Sequence, residues 1–558
     1  MTPRLLIIGL DGVGLDLVSQ FAGDGNLPNL EALMKRGMSA PLESTLPPTT
    51  LPAWTSFFTG ASPSSHGVPD FTVREGYRVR FVGGGSRRLP TIFSHLEQHG
   101  LTASSAWFPV TYPPERLNGY QISGWDSPVT ARGDQSFVQP PELHDALLDQ
   151  FGGDHLAFDT IDEFRSDEAW YRETAEALPE RVCRRADMAV WLLKNRPTDV
   201  AAFYFGEADT AAHHFWAFHD PESPRRPDQI DPRLERAIID VYRALDDAVG
   251  RLVEAAGPEA AVVVLSDHGS GGASDIAVHL NRMLEQAGLL RFRRSMLPSV
   301  SPEILRGFAP SIVPARLRRA IFHAAGGLAP ARIESHLRFG GVDWGRTVAF
   351  SEELSYAPSI WFNQLGREPG GILRYRNRER AALAIERAAT TMTGPDGSRL
   401  VRRVIRREDI HMGRFAHLFP DILIEFENPD GYTPICLPSR GPGTPISRLK
   451  KTDLLGRKGR SLPGCHTRNG ILMAVGRSIP KNLSTTARIE DVAPLVTALS
   501  GVPAAPWFEG KCPDAVSSID SISKHQNFFD ANSSPSTYTA GEERVVAERL
   551  KRLGYLEG

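Results

Sequence analysis

The sequence predicts an α/β protein with a mostly parallel central sheet and helices on both faces, carrying a helical insertion and a small cap region. Three observations predict it. Apolar runs of strand length alternate with helical patterns, as crossover connections between parallel strands require. The clearest runs are almost continuously apolar, as strands covered on both faces must be. At 558 residues the chain exceeds what one core usually serves, so insertions or a second lobe are expected.

In chain order, "RLLIIGLD" (residues 4–11) reads as the first strand. Its apolar run is short, and Asp11 interrupts it where the core of a signal peptide would continue. "PNLEALMKRG" and "ELHDALLDQF" follow as helices, then "ERVCRRADMAVWLLKN" ahead of the strand "AAFYFGEAD". "LERAIIDVYRALDDAVGRLVEAAG" has a strong helical period and a glycine stop, and it leads into the strand "AAVVVLSDHG". "GILMAVG" is the last clear strand. The character changes over 290–341, rich in Arg and Pro, which reads as an inserted helical segment. The catalytic core would thus occupy 1–289 and 342–510, the latter interrupted by a basic, Gly/Pro-rich cap-like excursion over about 430–463. A polar linker over 511–540 and a terminal amphipathic helix over 541–558 complete the chain.

Composition is that of an ordinary globular enzyme, 41% apolar and 23% charged. A net charge of −3 gives no general attraction to nucleic acid or to anionic membranes. No apolar run reaches the length of a membrane span. Cys183, Cys436, Cys465 and Cys512 are scattered and form no zinc or disulfide framework, so a reduced, cytoplasmic setting is expected.

The chemistry gathers at strand ends. Asp11 closes the first strand, Asp209 and His213 follow "AAFYF", Asp267 and His268 follow "AAVVVLS", and His466 precedes "GILMAVG". Asp209 and His213 are four apart and share a helix face. Alone, that pair fits an ion pair on a solvated helix. In an open α/β sheet, however, the strands deliver their C-terminal ends to one edge, where ligands bind. Asp267 and His268 would point to opposite faces within a strand; just beyond it, with Gly269 relaxing the backbone, both can turn inward. Carboxylate and imidazole together suit zinc first, manganese or iron after it. Six such ligands are too many for one tetrahedral ion and suit two. "STLPPTTLPAWTSFFTG" offers a hydroxyl at a helix start, where amides favour an anion. Thr45, Thr49, Thr50 and Thr55 all compete for that role, and helix capping is the commoner one.

Taken together, "IIGLDGVG", "TLPAWTSFFTGASPSSHG", "GEADTAAHH", "VLSDHG" and "GCHTRNGILMAVG" resemble the alkaline phosphatase superfamily, in particular its type I phosphodiesterase/nucleotide pyrophosphatase branch. The resemblance runs from Asp11 to about Gly476; each motif is weak alone and specific in this order. It implies an alkaline-phosphatase-like fold. It selects Thr50 as nucleophile, two residues before the proline. It places one metal on Asp11, Asp267 and His268 with Thr50 as fourth ligand, and another on Asp209, His213 and His466. Glu207 and His214 would lie behind the ligands or at the surface, and His66 would be structural.

The implied activity is that of a metal-dependent phosphoric ester hydrolase of the phosphodiesterase/nucleotide pyrophosphatase type, working through a phospho-threonine between two divalent ions. Its partner would be a small-molecule phosphate ester, with no nucleic acid polymer and no membrane. A phosphomutase or phosphotransferase of the same superfamily is the alternative. A sulfatase ranks last: "CLPSR" (Cys436 to Arg440) matches the formylglycine motif but falls in the late excursion rather than in the nucleophile's slot. Arg87, Arg88 and Arg468 are candidates to meet a substrate's negative oxygens, and Trp125 to line the pocket.

Overall fold

The computed structural model of the chain describes residues 2–127, 135–153, 167–293, 338–439, 441–456, 461–481, 483–513, 516, 542 and 545–547. Strand Leu5–Leu10 runs through the middle of a ten-stranded sheet. It lies parallel to Val200–Phe205 on one side and to Ala261–Leu265 on the other. Ala103–Ala106 and Gln121–Ile122 continue the parallel set outward. Leu5–Leu10 and Val200–Phe205 are buried at every position, which explains why neither alternates in sequence.

Asn469–Val475 runs the other way, as does the short edge strand Val138–Gln139. The former pairs antiparallel with Ala261–Leu265 and with Met38–Glu43, so the sheet is mixed. That reversal matters for the site. The parallel strands end at Leu10, Phe205 and Leu265, and this strand enters the sheet at that same edge, directly after His466.

Pro232–Ala256 starts behind Asp231, whose carboxylate caps Arg233 N at 3.0 Å, and buries Leu234, Ile238, Val241, Leu245, Val249 and Leu252 on one stripe. Glu168–Asn195 begins twelve positions earlier than "ERVCRRAD" suggests, because the helix passes through Pro179. A proline there removes one backbone hydrogen bond, while Trp170, Tyr171, Thr174 and Leu178 still bury the turns before it.

A second apolar cluster forms on an antiparallel sheet of Ala349–Phe350, Ser359–Phe362, Ile422–Phe426 and Val401–Arg406. Helix Arg378–Thr390 supplies Ala381, Ala382, Ile385 and Ala389 to that cluster. A third sheet grows from the long strand Gly269–Val278, which pairs with Thr433–Cys436, Ile446–Arg448 and Gly464–Thr467. The Gly/Pro-rich excursion therefore contributes strands. The insertion and the linker fall almost wholly outside the described residues, as does most of the terminal helix. Of the latter, 542 and 545–547 are helical, and Val546 and Ala547 are buried in the main core. No helix among the described residues is long and apolar enough to cross a membrane.

Asp70 tests how the second lobe tolerates a buried carboxyl. It lines a cavity of about 50 Å³ with Arg74, Trp361 and His411. Its Oδ2 accepts Tyr356 Oη–H at 3.2 Å, while Oδ1 has no hydrogen-bond partner among the described residues. Burial pushes its pKa up to about 7. The native state therefore holds a proton that the unfolded chain releases near pH 4. This contribution is present below about pH 4 and is lost as pH rises through 7, at about 1.4 kcal/mol per pH unit of that window. Denaturant titrations at pH 5 and pH 8 should show Asp70→Asn losing less stability than the parent; equal losses would refute the assignment.

Candidate active site

Each element end delivers one part of the site. Asp11 continues the first strand by one rung, Asp11 N donating to Phe205 O at 2.9 Å. Gly12 then turns at φ +72°, with room for no side chain because a Cβ would lie 2.9 Å from the backbone of Asp209. Asp209 sits in the first turn of helix Glu207–His219, and His213 lies one turn on. Asp267 and His268 occupy the bend between Ala261–Leu265 and Gly269–Val278.

Gly269 differs from the sequence expectation. It is part of the extended strand and has no positive φ. Glycine is needed there because a Cβ would collide with Asn469 O and Thr467 Oγ1. His466 lies on Gly464–Thr467, opposite Ser270 in the ladder, and its ring stacks on His268 at 3.7 Å.

All the sequence-predicted ligands meet at this edge. Asp209 Oδ1 is 3.3 Å from His213 Nε2 and 3.4 Å from His466 Nε2, and the two Nε2 atoms are 2.9 Å apart. His268 Nε2 is 3.5 Å from Asp11 Oδ1, 3.2 Å from Asp267 Oδ2 and 3.3 Å from Thr50 Oγ1. Two groups have ligand atoms within 4.8 Å of one another: Asp209, His213 and His466, and Asp11, Asp209 and His268. Asp209 belongs to both.

The protonation pattern follows from the backbone. His213 Nδ1 faces Gly464 O at 3.0 Å, His466 Nδ1 faces Pro48 O at 2.8 Å, and His268 Nδ1 faces Gly269 O at 3.1 Å. A carbonyl only accepts, so each Nδ1 carries a hydrogen, which leaves Nε2 of a neutral ring free to offer its lone pair to a cation. Among the described residues, Asp11 Oδ1, Asp209 Oδ1 and Asp267 Oδ2 are buried without a well-formed hydrogen bond. Carboxylate oxygens and imidazole Nε2 atoms converging in a buried site form a donor set that suits divalent ions.

The carboxyl groups show the same crowding. Burial and then the Asp209 charge push Asp11 up to about 7. Burial and then the Asp11 charge push Asp267 well above the usual range. Burial would raise Asp209 too, but His213 and His466 hold it well below.

Among the four competing threonines, Thr50 is the one whose hydroxyl reaches the clusters. Thr45 Oγ1 donates to Pro47 O and Thr55 Oγ1 to Leu51 O. Thr49 is the residue before helix Thr50–Thr59, and its side chain makes no capping bond. Thr50 is buried at the helix start, beside His268.

Two partners of Asp11 escaped the sequence reading. Trp54 Nε1–H and Tyr204 Oη–H donate to Asp11 Oδ2 at 3.1 and 2.6 Å. The available signal was a tyrosine inside a fully buried strand, whose hydroxyl needs a partner there. Glu207 and His214 are not at the surface: Glu207 is 1% exposed with Arg185 at 3.0 Å, and His214 packs edge-on against Trp170. His66 accepts Val68 N–H at Nδ1 and meets Ser56 Oγ through Nε2, and burial lowers its pKa to about 3.

A cavity of about 310 Å³ opens beside His213 and His466, walled by Pro47, Pro48, Tyr356, Leu423, Phe426 and Leu462. Trp125 is not in its wall; it donates from Nε1 to Tyr204 Oη at 3.3 Å. Arg87 and Arg88 do not line the cavity either, and Arg87 is paired with Glu115. Arg468 does line it, with its guanidinium on Glu43. Cys436 is fully buried in the second apolar cluster.

Sheet and edge together are those of a mixed α/β core with its candidate site at the C-terminal ends of the parallel strands. The family described as "Type I phosphodiesterase / nucleotide pyrophosphatase" matches residues 5–339, more than half of the chain, and the chain belongs to it. Among solved structures, human ectonucleotide pyrophosphatase/phosphodiesterase 5 aligns at 14% identity with a TM-score of 0.48, covering 91% of this chain and 97% of its own. The murine protein, as an inactive variant in complex with AMP, aligns at 13% identity with a TM-score of 0.49, covering 90% and 96%. No curated protein sequence matches.

Proposed function

We propose that the chain hydrolyses small phosphodiesters at this sheet edge, with Thr50 as nucleophile and the two clusters as seats for two divalent cations, zinc by the chemistry of the ligands. The observation that carries the reading is the convergence of buried carboxylate oxygens and imidazole Nε2 atoms at one sheet edge, with Thr50 Oγ1 3.3 Å from His268 Nε2. Divalent ions bound there supply positive charge to phosphoryl oxygens and lower the pKa of a hydroxyl in contact with them.

The chain's own groups do the rest. Trp54 and Tyr204 fix Asp11 from behind, and the Gly464, Pro48 and Gly269 carbonyls fix the three imidazoles. Thr50 Oγ1 attacks phosphorus in line, forming an O–P bond as the bond to the leaving alkoxide breaks. The threonine proton passes through solvent to that alkoxide. Water then attacks the phospho-threonine, regenerating Thr50 and releasing a phosphomonoester. Positioning and charge supply most of such a rate.

The test is product analysis with bis-p-nitrophenyl and p-nitrophenyl phosphate, alone and with an added alcohol. Faster turnover of the diester, with the monoester as product, is expected. Transfer to the alcohol in preference to water would make the protein a phosphotransferase instead.

A further inference from the structure

Arg225 lies in the loop after helix Glu207–His219, and its side chain is fully buried. No carboxylate comes within ion-pair distance of it among the described residues. Asp275, whose charge acts on it, is paired with Arg448 at 2.7 Å. A guanidinium out of water without a counter-ion is costly unless its donors are well placed. These are: Nε donates to Ser274 O at 2.8 Å and Nη2 to the same oxygen, while Nη1 donates to Leu462 O at 3.0 Å and to Ser461 Oγ at 3.2 Å.

The ladder explains the placement. Gly464–Thr467 pairs antiparallel with Gly269–Val278, Gly272 opposite Gly464 and Ser270 opposite His466. Ser274 and Leu462 lie two residues beyond the last of these pairs on their two segments. Pro463 intervenes, offering its carbonyl to Ala273 N at 2.9 Å but no N–H of its own. The strand pairing ends there, and beyond it Arg225 joins the two segments through the carbonyls of Ser274 and Leu462. Just beyond it the chain turns away at Ser461, a non-glycine residue at φ +76°.

We propose that Arg225 is a positioning residue for the candidate metal site, setting the register of the 461–467 segment and through it the seats of His466 and His213. His466 stands on that segment, and Gly464 O in it orients His213. A slip of one residue would turn His466 to the other face of the ladder. Arg225 thus ties the loop behind the Asp209/His213 helix to the strand that brings the third member of that cluster. Lysine keeps the charge but loses the fork that spans the two strands.

The inference rests on the two-cluster reading above, and the experiment separates the two. Zinc binding to metal-free protein is titrated against a competing chelator for the parent, Arg225→Lys and Ser461→Ala, with thermal unfolding alongside. The parent should bind two equivalents. Arg225→Lys should weaken one of them about 10–100-fold and leave the other unchanged, the loss typical of a group behind the ligands. Ser461→Ala, which removes one acceptor only, should weaken the same equivalent by less; it decides the matter if Arg225→Lys does not fold. Two equivalents held by the variants as tightly as by the parent, whatever happens to the melting temperature, overturn the role of Arg225 alone. A parent that binds no zinc overturns the metal reading and this inference with it.

Discussion

Thr50→Ala should lower turnover of bis-p-nitrophenyl phosphate by at least about 10³-fold, because it removes the atom that attacks rather than one that assists. The fold should survive. Thr50 is the first helical residue, and Ala53 N bonds to the backbone oxygen of Thr49, which the substitution leaves in place. Alanine is also a good helix former. Far-ultraviolet circular dichroism and the melting temperature should therefore match the parent. Thr50→Ser, which keeps a hydroxyl at the same place, should recover part of the activity. Brief acid quenching of the parent with substrate should leave phosphate on the peptide containing Thr50, and the alanine variant should show none. Undiminished turnover by Thr50→Ala would remove Thr50 from the reaction.

Much of this site was legible because the chemistry falls where sequence patterns are strongest. Leu5–Leu10, Val200–Phe205 and Ala261–Leu265 are buried on both faces, so each reads as an apolar run, and the polar residue that ends each run marks the sheet edge. The second lobe was not legible for the opposite reason. Val401–Arg406 carries three arginines in six residues, and Ile446–Arg448 is only three residues long, so neither presents an apolar stripe. Pro179 hid twelve residues of helix. Within the site, residue types and spacing named Asp209 but did not place it between the two clusters. That position depends on how far helix Glu207–His219 leans toward His268, a matter of packing. The donors on Asp11 were hidden likewise, since Trp54 and Tyr204 are aromatic residues among many that fill the core.

Removal of divalent ions by a chelator should abolish activity and lower the melting temperature, and Asp209→Asn should erase the second effect. Among the described residues, Asp209 is the carboxylate shared by both clusters. Ions bound to the native state alone stabilise it by about 4 kcal/mol when present at a thousand times their dissociation constant. With a neutral amide in place of that carboxylate, each cluster loses a charge, and the ions gain little by binding. Without ions, a different carboxyl decides the outcome. Asp11, Asp209 and Asp267 then crowd a buried site, and burial with the charges of Asp11 and Asp209 pushes Asp267 well above the usual range. Metal-free Asp267→Asn should accordingly unfold at a higher denaturant concentration than the metal-free parent at pH 8, despite being inactive. A purely structural carboxylate would give the contrary order, since its loss would weaken the protein with or without ions. Thermal scans of the parent and both variants, with excess zinc and with chelator, distinguish these cases. A parent whose melting temperature and turnover ignore the chelator would refute the proposed pair of cation sites.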